Sequence, residues 1–217
     1  SGDIYGLQFG STLEDKSHRK IIVCLDPVRK VILEAIKQEV HLIISHHGLI
    51  HRKTRFFNED ILQRIKLLGA NNINLFVMHT AWDAAQGGIS ETYVKRASLQ
   101  IEDNFYFEDG GKKKPIGRIA RPVVEETSIE GIAKNLKKNL KLDQIRILGE
   151  KSYKPKRIAV VGGKGFTQDT VLQAKREGCD TILTGELNHP EYLLARELDM
   201  HAIETTHYGS ENPGMEN

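Results

Sequence analysis

The sequence HLIISHHG at residues 41–48 places an unbroken run of strand-forming residues directly before two histidines. A second stretch, HAIETTHYGSEN at 201–212, repeats this order and adds a carboxylate, since Glu211 follows His207 by four positions. Imidazole and carboxylate side chains that follow separate strands are the ligands from which metal sites on α/β sheets are built. We therefore expect the fold to bring these two strand ends together.

Composition and charge predict a globular protein without a membrane helix. The chain has 217 residues, 39% of them hydrophobic, and a formal net charge of +2 at pH 7, which suits one large α/β domain or two smaller ones. No apolar run approaches the roughly 20 residues of a membrane helix. The first residues lack the basic and apolar regions of a signal peptide, and Cys24 and Cys179 have no CxxC spacing. We expect reduced thiols and a cytoplasmic location.

The first part of the chain alternates between strand and helix patterns. Residues 20–26 (KIIVCLD) have the pattern of a buried strand, residues 28–39 have the apolar spacing of a helix, and residues 41–45 form a second strand. This βαβ unit predicts two parallel strands joined by a right-handed crossover. A helix at 58–68, which begins with an asparagine that can cap it, and a strand at 74–78 follow.

The pattern changes between residues 103 and 153. The first part of this segment is polar and ends in GGKKKP, a composition typical of a linker or a hairpin. Pro122 then favours an edge position for the strand that contains it. From residue 157 the alternation of strand and helix returns. We interpret the chain as an α/β protein in which two lobes of mostly parallel βαβ units, residues 1–102 and 154–217, flank a small α+β insertion at 103–153.

Four predicted strands end in potential metal ligands or proton carriers. In chain order these residues are His46 and His47, His79 and Asp83, Glu186, and His207 and Glu211. Ligands bind at the carboxyl ends of parallel strands because loops and helix N-termini open a crevice there. Each ending alone has an ordinary interpretation. His46 and His47 could be loop imidazoles, Asp83 could be an aspartate at a helix start near a buried histidine, and His207 and Glu211 could be either a helical i,i+4 pair or simply a polar C-terminus. Their occurrence together favours a metal site.

Two ions suit this set of side chains better than one. Neighbouring side chains diverge, so we expect two adjacent histidines to face different ions. One ion would take His47 and Asp83 and the other His46 and His207, with Glu211 as a bridging carboxylate of the kind that typically holds pairs of metal ions. A set of imidazoles and carboxylates without thiolate suits Zn, Mn, Fe, Ni or Co.

Five motifs in this chain carry a resemblance to a known family. They are SHHG (45–48), HTAWDAAQGG (79–88), VVGGKG (160–165), TGE (184–186) and HYGSE (207–211). In this order, and over essentially the whole chain, they resemble the GTP cyclohydrolase I type 2 homologues, also called the NGG-one-interacting-factor-three family. The resemblance implies a two-lobed α/β fold assembled into a toroidal homohexamer, a trimer of dimers whose metal pairs face an inner cavity. It also implies the ligand set His46, His47, Asp83, His207 and Glu211.

The first functional hypothesis is a dinuclear metal-dependent hydrolase that acts on a nucleotide-like substrate. If the family name applies, the substrate resembles GTP, whose imidazole ring is opened with release of formate. Glu186 and His79 are the candidates for proton transfer. Lys164 is the candidate for holding phosphate, although the VVGGKG sequence around it also fits a tight turn between a strand and a helix.

The alternative hypothesis is a metal-binding regulatory or scaffold protein with little catalysis. The segment from residue 112 to residue 157 contains 14 Lys or Arg residues against 5 Asp or Glu residues, which makes it a candidate surface for phosphates or nucleic acid. Aromatic residues are sparse there and no nucleic-acid-binding module is recognisable, and a solvated loop explains the lysines equally. An intact set of ligands suits either hypothesis.

Overall fold

The computed structural model describes residues 3–10, 20–51 and 54–216 in two compact units, residues 1–82 and 83–217. The first unit contains a four-stranded sheet and the second a six-stranded sheet, each combined with helices. This architecture confirms the α/β class predicted from the sequence. Among the helices of the described residues, none has both the length and the apolar character needed to cross a membrane.

The first unit follows the predicted alternation of strands and helices. Its elements are β1 (Gly6–Phe9), β2 (Ile22–Cys24), α1 (Arg29–Lys37), β3 (Leu42–Ser45), α2 (Glu59–Ala70), β4 (Asn74–Val77) and α3 (His79–Ala84), whose last two residues belong to the second unit. The strand order is β1-β4-β3-β2. Strands β2, β3 and β4 are parallel, and β1 is antiparallel to β4. The carboxyl ends of three strands therefore lie at one edge of the sheet.

Helix packing fixes the position of that edge. The side chain of Asn58 accepts a hydrogen bond from the N–H of Ile61, so α2 begins at the predicted cap. Ile32 of α1 and Leu68 of α2 are fully buried with Ile43 of β3 in one apolar cluster. Burial of these residues removes apolar surface from water and holds both helices against the central strands.

The second unit is larger and has a mixed sheet. Its elements are α4 (Ile89–Arg96), β5 (Leu99–Asp109), β6 (Lys112–Pro122), α5 (Ile129–Asn139), β7 (Arg146–Leu148), β8 (Ile158–Val161), α6 (Gln168–Arg176), β9 (Thr181–Thr184), α7 (His189–Glu197), β10 (His201–Glu204) and α8 (His207–Met215). The strand order is β5-β6-β8-β9-β10-β7. The adjacent strands β8, β9 and β10 are parallel, and the other pairs are antiparallel.

The core of the second unit lies on both faces of its sheet. All four residues of β8 are buried, and alternate residues enter different apolar clusters, because successive side chains of a strand point to opposite faces. Ala159 and Val161 belong to the cluster that contains Phe166. Ile158 and Val160 belong to the cluster that contains Ile132 of α5. The parallel strands β8, β9 and β10 are thus central, and their carboxyl ends are held in fixed positions.

The segment at 103–153 contains a hairpin whose second strand is not at the edge of the sheet. Gly110 and Gly111 form the turn of a hairpin between β5 and β6, at φ of +57° and +77°, values suited to glycine, and the KKKP residues that follow begin β6. The edge position expected for the strand with Pro122 is wrong, because β6 lies between β5 and β8. Pro122 is the last residue of that strand, where a missing N–H interrupts no ladder. The predicted insertion limits stay a prediction, and β6 pairs directly with β8.

Both cysteines are free thiols. Burial raises the pKa of the Cys179 thiol to about 12, and burial together with the negative charge of Asp26 raises that of Cys24 to about 12. Neither thiol is a nucleophile at neutral pH, because the thiolate is the reactive form.

Candidate metal centre

Two adjacent histidines lie just beyond the end of β3. The backbone N–H groups of His46 and His47 donate hydrogen bonds to the carbonyl oxygens of Cys24 and Leu25, at 3.1 and 2.9 Å. Their ring centroids are 4.8 Å apart in an edge-to-face arrangement, so the expected divergence of these side chains is wrong. The reason is local, because both residues lie in a bend where strand alternation no longer applies. His46 is almost completely buried, with 1% of its surface exposed.

A carboxylate that the sequence analysis missed holds the second of these histidines. Asp26 follows β2, the parallel neighbour of β3, and its Oδ1 atom lies 2.9 Å from Nδ1 of His47. A carboxylate at Nδ1 fixes the tautomer and ring orientation in which Nε2 is the atom that ligates a metal. The signal was present in the sequence, since KIIVCLD ends in this acid one parallel strand away from the histidine pair.

A third imidazole belongs to the same group. His79 begins α3 and its N–H donates to the carbonyl oxygen of His46 at 3.0 Å. Its ring centroid lies 5.5 Å from that of His46 and 6.0 Å from that of His47. His79 has a φ of +37°, a left-handed conformation that a non-glycine residue adopts at an energetic cost. Its Nδ1 contacts the carboxylate of Asp3, so this imidazole is also oriented by an acid.

His51 extends this cluster of rings. Its ring centroid lies 6.3 Å from that of His47. Burial lowers the pKa of His51, and the nearby imidazoles of His47 and His79 lower it further. His51 thus adds a fourth imidazole to the group in the first unit, in an environment that disfavours its own protonation.

The second unit supplies a histidine and a glutamate on one helix. Helix α8 begins after Thr206, whose side chain accepts a hydrogen bond from the N–H of Gly209 at 2.9 Å. His207 and Glu211 are one turn apart, and Nε2 of the histidine lies 3.1 Å from Oε2 of the glutamate. Of the interpretations of this pair, the helical i,i+4 arrangement is confirmed. Glu211 is buried, with 5% of its surface exposed.

Both ring nitrogens of His207 face carboxylates. Oε1 of Glu186 lies 3.4 Å from Nδ1 of His207, opposite the contact of Nε2 with Glu211. The hydrogen bond to Glu211 raises the pKa of His207 to about 9, the negative charges of Glu211 and Glu186 add to this effect, and burial opposes it. His207 is therefore protonated at neutral pH in the metal-free protein, and a divalent ion would take the place of that proton.

Two glycines make room for this arrangement. A Cβ atom on Gly163, at a φ of +56°, would overlap Oε1 of Glu211. A Cβ atom on Gly185 would lie 2.5 Å from Oγ of Ser210, the same hydroxyl that accepts a hydrogen bond from the N–H of Gly163 at 2.9 Å. The VVGGKG and TGE motifs thus leave space for α8. The turn predicted as one interpretation of VVGGKG is present, with Lys164 exposed in it, and its phosphate-binding role stays a prediction.

The described residues thus form two groups, one in each unit. His46, His47 and His79 lie together in the first unit, and Glu186, His207 and Glu211 lie together in the second. Asp83 is half-buried on α3, four residues after His79. Imidazole nitrogens and carboxylate oxygens, several of them oriented by a further acid, fit a divalent transition-metal ion.

The whole chain, residues 1–217, matches the family Duf34/NIF3 (NGG1p interacting factor 3). The chain belongs to this family. Duf34/NIF3 relatives include the GTP cyclohydrolase 1 type 2 homolog of Clostridium perfringens, which is 31% identical over 213 residues that cover 97% of this chain and 79% of the relative. The homolog of the same name from Methanocaldococcus jannaschii is 30% identical over 214 residues, 99% of this chain and 83% of the relative.

Solved structures of similar proteins agree with the Duf34/NIF3 assignment. Reduced HcgD from Methanocaldococcus jannaschii superimposes with a TM-score of 0.81 at 28% identity, over 99% of this chain and 82% of HcgD. Staphylococcus aureus protein SA1388 has a TM-score of 0.81 at 25% identity, over 96% of this chain and 80% of the other. The family resemblance and the α/β fold inferred from the sequence are confirmed.

Proposed function

We propose that this Duf34/NIF3 protein is a dinuclear metal-dependent hydrolase that acts on a nucleotide-like substrate. The observation that carries the proposal is the pairing of candidate ligand imidazoles with carboxylates at Nδ1: Asp26 with His47 and Glu186 with His207. Carboxylates in this position orient metal-ligating imidazoles and raise their basicity. Such pairs, formed at the ends of separate strands, support the presence of a metal-coordination site.

The proposed ligands are those expected from the sequence. Two divalent ions, Zn, Mn, Fe, Ni or Co, would be held by His46, His47, Asp83, His207 and Glu211. Glu211 would be the bridging carboxylate, a role for which its low exposure is suited, since a buried carboxylate needs positive partners. The nitrogen and oxygen donors are compatible with all of these metals.

Metal ions bound there would supply a water molecule of lowered pKa and positive charge for the transition state. The proposed substrate is GTP or a related purine nucleotide, in which water adds to the imidazole carbon, a carbon–nitrogen bond of the ring breaks, and a second water releases that carbon as formate. His79 would accept a proton at Nε2, because the Asp3 carboxylate occupies Nδ1. Glu186, whose side chain is 45% exposed, would take up a proton from solvent and pass it to the leaving nitrogen, and Lys164 would hold phosphate.

The proposal also includes an oligomeric state and a cellular compartment. A toroidal homohexamer, built as a trimer of dimers, would place the metal pairs toward a shared cavity. Membership of the Duf34/NIF3 family supports this arrangement. The two unpaired thiols support a reducing compartment such as the cytoplasm. Light scattering of the purified protein tests the assembly, and a mass of one or two chains would contradict it.

Turnover of nucleotide by metal-loaded protein tests the catalytic proposal. Metal-free protein is loaded with Mn, Fe or Zn and incubated with GTP, and formate is measured. We expect His46→Ala and Glu211→Ala to abolish release. Matched controls are His41→Ala, at the exposed position just before β3, and Glu216→Ala, at the exposed end of α8. Two ions per chain without turnover of any nucleotide would instead favour the regulatory or scaffold function.

Measurement of metal content distinguishes the proposed metal ligands from the proposed proton carriers. Glu211→Gln weakens the proposed bridge, so we expect it to reduce bound metal by more than His79→Ala, which removes a proton carrier. Elemental analysis of both variants measures the stoichiometry. Equal loss of metal in the two variants would contradict the assigned roles.

A further inference from the structure

The guanidinium group of Arg118 is buried in the second unit, with 3% of the side chain exposed. Its Nε donates to Oε1 of Glu91 at 3.3 Å. Its Nη1 donates to the carbonyl oxygens of Pro115 and Gly117, at 2.7 and 2.9 Å. Its Nη2 donates to the carbonyl oxygen of Ala84 and to Oε1 of Glu91, both at 3.0 Å. All five N–H donors of the arginine therefore have acceptors.

The carboxylate of Glu91 extends this network in the other direction. Its Oε2 accepts a hydrogen bond from the backbone N–H of Gly87 at 2.9 Å. Burial raises the pKa of Glu91, but the hydrogen bonds from Gly87 and Arg118 and the charge of the guanidinium outweigh burial and lower it. The pair is thus an ionised, hydrogen-bonded contact, a class stronger than a neutral hydrogen bond.

The backbone that this pair holds is the segment directly after Asp83. Ala84 is the last residue of α3, and its carbonyl is one of those that a helix end leaves without an intrahelical partner. Arg118 satisfies that carbonyl, and Glu91 holds Gly87 three residues further on. The end of α3 is therefore fixed by charged side chains from β6 and α4. An alanine-rich, glycine-containing segment (DAAQGG, 83–88) has few side chains of its own to fix it.

We propose that Arg118 is a positioning residue that acts through Asp83. The Arg118–Glu91 pair holds the last turn of α3 so that the carboxylate of Asp83 stands where a metal ion requires it. This inference rests on the proposed function, since Asp83 must be a ligand. It predicts a selective effect, in which binding of the ion that Asp83 ligates is weakened and binding of the other ion is retained.

Arg118→Lys is the first test, because lysine keeps the charge but lacks the planar set of five donors. We expect the affinity for one of the two Mn ions to fall about tenfold or more, as when an outer-shell partner is lost, with the other ion unchanged. Arg121→Lys is the matched control, since this arginine lies on the same strand and is 41% exposed. Glu91→Gln is a second variant that leaves Arg118 in place, and it keeps the test valid if Arg118→Lys fails to fold.

Combination with Asp83→Asn distinguishes positioning from a general structural role. If Arg118 acts through Asp83, then Arg118→Lys causes no further loss of metal in the Asp83→Asn background, because interacting residues are not additive. An equal additional loss in that background would overturn the inference, as would full metal content in folded Arg118→Lys and Glu91→Gln proteins. If Asp83→Asn alone retains both ions, the ligand set of the proposed function is wrong and the inference fails with it.

Discussion

Nδ1 of His47 lies 2.9 Å from Oδ1 of Asp26, which joins the carboxyl ends of two neighbouring parallel strands. A backbone hydrogen bond supports the same junction, because the N–H of His47 donates to the carbonyl oxygen of Leu25, the residue before the acid. The imidazole is thus fixed in both position and tautomer before any ligand binds. Preorganisation of this kind lowers the entropic cost of assembling a coordination site.

The Asp26→Asn variant tests this relationship. The amide retains the size of the acid but loses its charge, so we expect a 10- to 100-fold decrease in metal affinity, of the order found when outer-shell carboxylates are removed. Competition with a chelator measures the affinity. Asp103→Asn, an exposed position on β5, is the control. Unchanged affinity in Asp26→Asn would show that His47 needs no orienting acid.

Gly163→Ala tests the space beside Glu211. An added Cβ atom would overlap Oε1 of this glutamate, so we expect loss of bound metal in a protein that retains its fold. Gly110→Ala is a matched control, since its φ of +57° resembles the +56° of Gly163 and nothing lies within 4 Å of its added Cβ atom. The control removes the effect of backbone strain, which is common to both variants. Equal metal content in the two proteins would contradict the steric role.

Protonation of His207 predicts a pH dependence of the metal-free protein. Its folded pKa of about 9 lies above the ordinary value of 6.5, so the proton stabilises the folded state. That contribution is complete below pH 6.5 and is lost as the pH rises to about 9. We expect the free energy of unfolding, measured with urea in the presence of a chelator, to fall across this range. His207→Asn should flatten the profile, and an unchanged slope in that variant would exclude His207 as its source.

The buried hydroxyl group of Tyr93 contributes to the stability of the fold outside the candidate metal site. Its hydroxyl, on a residue that is 1% exposed, lies 2.9 Å from the carbonyl oxygen of Thr184 and 2.9 Å from Oγ1 of Thr205. We expect Tyr93→Phe to lower the free energy of unfolding by about 1–3 kcal/mol, the cost of leaving buried polar groups unsatisfied. Urea denaturation measures it. Tyr208→Phe, at a residue that is 62% exposed, should have almost no effect.

Much of the fold could be predicted because local sequence and tertiary structure agree. The apolar runs before His46 and His207 form β3 and β10, and Asn58 caps α2. These elements depend on periodicity and capping, which one sequence contains. The same reasoning identified histidines and carboxylates that follow the strands and lie close together within each unit, because the end of a buried strand can be recognised in the sequence.

The remaining features depend on contacts that one sequence does not contain. Helix α8 includes Gly209, Pro213 and Gly214, residues of low helix propensity. Its tight packing explains its stability, because a Cβ atom on Gly214 would lie 2.7 Å from the Cα of Ile89 in α4. The acids Asp3 and Asp26 were missed for a similar reason, since each is defined by its partner in space.

The crowding at Gly163 also limits how this protein can evolve. Every residue other than glycine carries a Cβ atom, and at this position that atom would overlap the carboxylate of Glu211. Under the proposed function, we therefore expect selection to retain glycine at this position, although its own side chain is only a hydrogen atom.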